Sequence, residues 1–251
     1  MNKNQDLKEI FKVAIENHKN SKFKSAEELY IKILNHSPHH FEAIFYLSAL
    51  LLQLKRFSEA KIYITKALRI EPNNVDLHNS LGAIFREQKD YIKSIESFNK
   101  AIKINPNYIA GYNNLGIIFT MLKKFDEAIK CFEDAIKIDD KCVPAFINLG
   151  NIYQELDNNN MAIDYYKKAI SLNPNNLRAH YNLGLLFGKL KKYNKAINCY
   201  ENAIKINPNF KEPYALYGNV LLNINKHKEG LEYIKKGCGF IKFSEKNFSI
   251  I

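Results

Sequence analysis

A fixed period constrains this chain more than any other feature. Proline stands at Pro38, Pro72, Pro106, Pro174 and Pro208, so the intervals are 34, 34, 68 and 34 residues, and Asp140 fills the skipped slot. Self-similarity at a period of roughly 20–50 residues marks stacked copies of one supersecondary unit. Aligned on these positions, the chain is predicted to hold seven 34-residue units at 7–40, 41–74, 75–108, 109–142, 143–176, 177–210 and 211–244, with an extension at 1–6 and a tail at 245–251. Column seven of the units reads Val13, Leu47, Leu81, Leu115, Leu149, Leu183, Tyr217, and column eight reads Ala14, Ser48, Gly82, Gly116, Gly150, Gly184, Gly218. Column twenty is small in every unit (Ala26, Ala60, Ser94, Ala128, Ala162, Ala196, Gly230), and column twenty-four is large (Tyr30, Ile64, Phe98, Phe132, Tyr166, Tyr200, Ile234). Length therefore reports the number of copies.

Each unit reads as two helices. In the fourth, Tyr112, Leu115, Gly116 and Phe119 recur at helical spacing, a break follows at Lys123-Lys124, and Ala128, Phe132 and Ala135 mark a second helix. Pro-Asn or Asp-Asp then stops it, because proline lacks the amide donor and clashes with the preceding turn. Small residues let neighbouring helices approach, and large ones fill the space between.

The stretches NNLGIIF and FDEAIKCFEDAI, and the run from Tyr181 to Pro208, resemble the tetratricopeptide repeat family. The resemblance runs over all seven units and is strongest in the central five. It implies an all-α fold, a right-handed α-solenoid of helix-turn-helix units with the first helices lining a concave groove. The ends depart from the pattern. Unit one lacks the glycine and has Asn17 at column eleven; unit seven has Gly230, Gly237 and Lys242 where Ala, Ala and Pro are usual. Its second helix is predicted to end near Lys235-Lys236 with Gly237 as the C-cap. The apolar tail FIKFSEKNFSII is expected to fold back over the last hairpin, with self-association through it as the alternative.

Catalytic constellations are absent. The chain has no glycine-rich phosphate loop, no His-Glu-x-x-His, no Cys-x-x-Cys and no nucleophile elbow. His78 and His180 share column four and read as packing residues; Cys131 and Cys199 share column twenty-three, too far apart for a disulfide or a shared metal. His36, His39 and His40 surround Pro38 but supply no fourth ligand. These readings predict a non-enzymatic protein with no metal and no cofactor.

The groove is more informative. The resemblance implies that columns two, five, six, nine, twelve and thirteen face it. Column six places Asn114, Asn148 and Asn182 in one row. An asparagine amide offers a donor and an acceptor together, so a row of them can track the backbone of an extended peptide. The row resembles the asparagine ladder of the repeat arrays in O-linked N-acetylglucosamine transferases. Asn79, Asn113, Ile147 and Tyr181 at column five, with Ile117, Asn151 and Leu185 at column nine, complete the candidate site. Columns five and nine hold no cation, which argues against a clamp for a peptide carboxylate.

The net charge of +11 first suggests a nucleic-acid partner. Its location argues otherwise. Columns fifteen and sixteen, the turn between the two helices, hold nine cations against Asp90 and Asp157, and column twenty-nine adds Arg69, Lys103, Lys137 and Lys205. Both places read as helix C-termini, where a cation offsets the negative dipole end by roughly 0.3–1 kcal/mol. The groove columns are nearly neutral. The expected function is thus a scaffold or adaptor holding an extended protein segment. The alternatives are a targeting or regulatory subunit of a separate enzyme, such as a glycosyltransferase, and, less favoured, nucleic-acid binding along the basic edge. No apolar run is long enough for membrane insertion and the first residues are polar, so a cytoplasmic protein is expected.

Overall fold

A computed structural model describes residues 3–238, 241–243 and 248–250, with side chains from 6 to 238. Its helices come in hairpins: α1 (Lys3–Lys19) with α2 (Phe23–His36), α3 (Phe41–Gln53) with α4 (Phe57–Ile70), and α5 (Val75–Glu87) with α6 (Tyr91–Ile104); α7 (Ile109–Met121) and α8 (Phe125–Ile138) follow in chain order. They continue as α9 (Val143–Glu155) with α10 (Asn159–Leu172), α11 (Leu177–Lys189) with α12 (Tyr193–Ile206), and α13 (Glu212–Asn223) with α14 (His227–Cys238). The fold is thus all-α and built of helix-turn-helix units, as the period requires. Two short strands, β1 (Ile241–Phe243) and β2 (Phe248–Ile250), pair antiparallel after the last helix. The chain divides into two compact units, Met1–Ile118 and Phe119–Ile251, with the division inside α7. Within the first, each helix from α1 to α5 packs on the next; within the second, the same holds from α8 to α13.

Every first helix ends in the same way. Ser21, Lys55, Lys89, Lys123, Asp157, Lys191 and Asn225, all at column fifteen, have φ between 56° and 61°. The next residue returns its N–H to a carbonyl five positions back, as from Lys124 to Phe119 at 2.8 Å and from Lys192 to Phe187 at 2.9 Å. This is the Schellman C-cap, whose left-handed residue is normally glycine or asparagine. A lysine there crowds its Cβ against the carbonyl and costs about 1 kcal/mol. The carbonyls left over at the end of each first helix are thereby satisfied without glycine.

Column sixteen corrects the reading of the charge. It is the N-cap of the second helix, where the dipole favours an anion, and cations there oppose it. Only Asp90 and Asn158 accept a capping bond, from Lys93 N at 3.2 Å and Met161 N at 3.3 Å. Lys22, Arg56, Lys124 and Lys192 make no side-chain cap. Column fifteen does sit at a helix C-terminus, so the dipole accounts for one of the two turn columns.

Packing explains the small columns. Ala26, Ala60, Ala128, Ala162 and Ala196 are fully buried. A Cβ on Gly150 would lie 2.5 Å from the Tyr166 ring, and one on Gly82 2.6 Å from the Phe98 ring. Column eight is therefore glycine because the aromatic ring of column twenty-four lies against that backbone. The column-four residues do more than fill space. His78 Nε2 is 2.8 Å from Pro72 O, His180 Nε2 is 2.9 Å from Pro174 O, and the Tyr214 hydroxyl donates to Pro208 O at 3.1 Å. Each ties the first helix of a unit to the turn that precedes it.

The chain ends differ from expectation. Helix α1 begins at Lys3 and so extends into the predicted 1–6 segment. Gly237 is not a C-cap: α14 continues to Cys238. A Cβ at Gly237 would lie 2.7 Å from Ala215 N, so this glycine permits close approach to the start of α13. How 240–251 packs through its side chains lies outside the described residues; the backbone register pairs Ile241 with Ile250 and Phe243 with Phe248.

Candidate functional site

One part of the predicted groove lies in the second compact unit, where α9 and α11 run side by side. Asn151, at column nine of α9, is its centre. Its Oδ1 accepts from Asn182 Nδ2 at 2.8 Å and from the Tyr166 hydroxyl at 2.7 Å. The same hydroxyl lies 3.1 Å from Gln154 Oε1 and shares its one proton between the two acceptors. Burial holds the Tyr166 phenol well above the usual tyrosine range, so it stays a donor. The order of events is local and physical. Gly150 has no Cβ, so the Tyr166 ring of α10 passes close against α9. Its hydroxyl then reaches the groove, fixes Asn151, and Asn151 fixes Asn182 on the next hairpin.

Asn182 has engaged one N–H in this way. Its other N–H and its Oδ1 have no partner among the described residues, and the half-buried Asn148 amide has none either. An amide so placed can give and take one hydrogen bond with a peptide unit. A pocket of about 500 Å³ opens here, with Asn151, Gln154, Tyr166, Asn182, Leu185 and Lys189 among its lining residues. Lys189 Nζ binds Asp157 Oδ1 at 2.8 Å across adjacent hairpins and closes one side. Tyr181 lines a second pocket of about 410 Å³ with Ala215 and Leu216, and its ring meets Phe210 edge-on at 5.2 Å. Ile147 is 4% exposed and belongs to the core, so it presents little to a ligand.

In the first compact unit, Asn114 Nδ2 donates to Asn79 Oδ1 at 2.8 Å, and Asn113 Nδ2 to Ile109 O at 3.2 Å. Asn79 lines a pocket of about 410 Å³ with Gln53, Ser80, Ala83 and Arg86, while Ile117 is half-buried. The predicted residues are thus not equivalent. Asn114 and Asn182 each hold an asparagine of the preceding hairpin, and Asn148 holds none. Sequence reasoning missed Tyr166, which stands on a second helix and was counted as core, and Gln154. The signal was present as glycine at column eight, tyrosine at twenty-four and asparagine at nine within one unit.

Other candidates are engaged locally. His40 Nδ1 accepts from Ala43 N at 3.3 Å and caps α3, and His36 Nδ1 is 2.9 Å from Lys32 O. Burial pushes the Cys131 thiol up to about 12 and the Cys199 thiol up to about 11, the reverse of what a nucleophile needs. No helix among the described residues is long and apolar enough to cross a membrane.

Comparison with known proteins gives a consistent picture. Models of the tetratricopeptide repeat match residues 143–176 and 177–210, 74–141, and 18–84. No curated protein sequence matches significantly. Among solved structures, a tetratricopeptide repeat protein from Parabacteroides merdae is 17% identical with a TM-score of 0.75, over 96% of this chain and 95% of that one. The protein MamA is 27% identical with a TM-score of 0.56, over 66% of this chain and 90% of that one. YrrB, described as having an unusual peptide-binding site, is 17% identical with a TM-score of 0.53, over 70% and 91%.

Proposed function

Because the chain belongs to the tetratricopeptide repeat family, whose members are generally protein-interaction scaffolds, we propose that it is a non-enzymatic adaptor that holds an extended peptide in the groove of its second compact unit. The observation that carries this reading is the chain from the Tyr166 hydroxyl through Asn151 to Asn182. It orients an amide whose remaining donor and acceptor are open, and Asn148 presents a second amide on the adjacent hairpin. Helices in contact lie about 8–10 Å apart. An extended chain rises about 3.3 Å per residue. The two amides therefore meet a bound backbone at about every third residue. Side-chain selection falls to Leu185 and to the pocket beside Tyr181, which suit apolar anchors. The resemblance to the YrrB fold shows only a shared architecture, so the support is the geometry here. Four cysteines without a disulfide fit a reducing compartment such as the cytoplasm.

A peptide-array screen with the full chain tests the proposal. Peptides retained by the parent should be lost or weakened about tenfold by Asn148→Ala and by Asn182→Ala, the scale of one to two hydrogen bonds. Unchanged retention in both variants would overturn the groove assignment.

A further inference from the structure

The basic turns of the second compact unit call for a separate explanation. Lys123 and Lys191 occupy the left-handed position of a C-cap, with φ of 57° and 56°. Lys124 and Lys192 occupy N-caps and make no capping bond. Folding disfavours Lys124 and Lys192 on grounds of the dipole and the lost cap, and at Lys123 and Lys191 the steric cost of the left-handed backbone offsets what the dipole contributes. None of the four has an ion-pair partner among the described residues, and all are exposed. The one acid in the intervening turn, Asp157, is neutralised by Lys189 at 2.8 Å. Stacked hairpins bring equivalent turns into a row, so the charges form an edge. Apolar side chains stand in the same turns: Met121 is 52% exposed, Leu156 46% and Leu122 36%.

We propose that this edge docks on an anionic membrane surface, with the lysine pairs facing lipid phosphates and Met121, Leu122 and Leu156 entering the headgroup boundary. Three features favour lipid over a nucleic acid or an acidic protein segment. A phosphate polymer offers nothing to exposed leucine and methionine, whereas the interface between headgroups and acyl chains does. The cations are lysines, which act as point charges and do not form the bidentate forks that read specific phosphates. A row of turns along an edge presents to a plane without enclosing a segment. The docking is peripheral and independent of the groove.

Flotation of the full chain with phosphatidylserine–phosphatidylcholine vesicles, against phosphatidylcholine alone, tests the inference. The parent should bind only the anionic vesicles, and less as salt rises. The quadruple variant Lys123→Gly, Lys124→Asp, Lys191→Gly, Lys192→Asp should bind about 100-fold more weakly, since each basic residue contributes severalfold near such a surface. That variant should also melt at a higher temperature, because the new N-caps favour the local fold, so its loss of binding is not a folding failure. Met121→Ser with Leu156→Ser should weaken binding about tenfold with the salt dependence unchanged. Equal binding of parent and quadruple variant would overturn the proposal. So would binding of polyglutamate or single-stranded RNA by a parent that does not partition to anionic vesicles.

Discussion

The first two hairpins and the second compact unit put different chemistry on columns five, six and nine. In the first, Phe11, Phe45 and Tyr46 stand at columns five and six, and their rings meet one another: Phe11 and Phe45 each lie 5.7 Å from Tyr46. In the second, columns six and nine hold Asn148, Asn182 and Asn151; a directional bond joins Asn182 to Asn151, while donors and acceptors on Asn148 and Asn182 stay open. The turns differ likewise. Arg56 of the first unit binds both oxygens of Glu27 at 2.7 Å and also pairs with Glu59 at 2.6 Å, while the lysine pairs of the second have no such partner. Aromatic rings and paired ions complete themselves within the fold; lone amides and unpaired lysines leave valence to solvent or to a ligand. The repeat decides where a side chain stands. Its neighbours decide whether its valence is already taken.

The comparison can be broken most severely at column eight. Gly150→Val should lower the stability of the chain by about 3 kcal/mol, since the added carbons enter the Tyr166 ring. Ser48→Ala, at the same column in the first unit, should cost about 1 kcal/mol, the bond from its hydroxyl to Phe45 O. Urea denaturation of both variants checks the contrast, and equal midpoints would show that the aromatic contact does not set the column. The turns give the next effect, of opposite sign. Lys191→Gly with Lys192→Asp should stabilise by about 1 kcal/mol, most of it from the N-cap, since relief of the left-handed residue is largely offset by the lost dipole interaction. A thermal midpoint that falls would refute the assignment of these positions.

Smaller effects sharpen the contrast between rings and amides. Tyr166→Phe removes the hydroxyl that orients Asn151 and should weaken groove peptides about fivefold, with stability changed by about 1 kcal/mol. Tyr30→Phe loses only a 3.4 Å contact to His18 Nδ1 and should leave the same peptides bound as before. Titration calorimetry on both separates positioning from packing. The smallest effect concerns pH, and all four cysteines lie in the second unit. Native Cys131 and Cys199 have pKa values of about 12 and about 11, while unfolded thiols ionise near 9. Above that value the unfolded chain has released protons that the native chain retains. Stability should therefore fall as pH rises from about 9 towards 11, and Cys131→Ala with Cys199→Ala should flatten that fall in denaturation curves.

Much of this was legible before any coordinates. Prolines at a fixed interval, small residues at columns eight and twenty and large ones at twenty-four gave the hairpins, because helix stacking repeats the same steric demands in every copy. The site was legible only in part. A column names a face, so Asn114, Asn148 and Asn182 could be put in one row. Whether Asn182 meets Asn151, or Tyr166 reaches through beside Gly150, depends on distances between helices of different hairpins. Ile147 shows the same limit: its column reads as facing the groove, yet the side chain is buried in the core. The turn charges were misread for a related reason. Columns fifteen and sixteen are adjacent in sequence, but one closes a helix and the other opens the next, and the dipole changes sign between them.

The sequence alone determined the repeat, the helical hairpins, the family and the exclusion of known catalytic motifs, since all four follow from residue type and local spacing. Tertiary structure decided which amides are tied and which are open, and which cations are paired. It also showed that Gly237 serves helix approach and not a helix end. Those outcomes rest on contacts between residues about 30 positions apart, such as Asn151 with Asn182 and Asp157 with Lys189. No local pattern encodes them, because hydrogen bonds and ion pairs form only at separations that the stacking of one hairpin on the next sets.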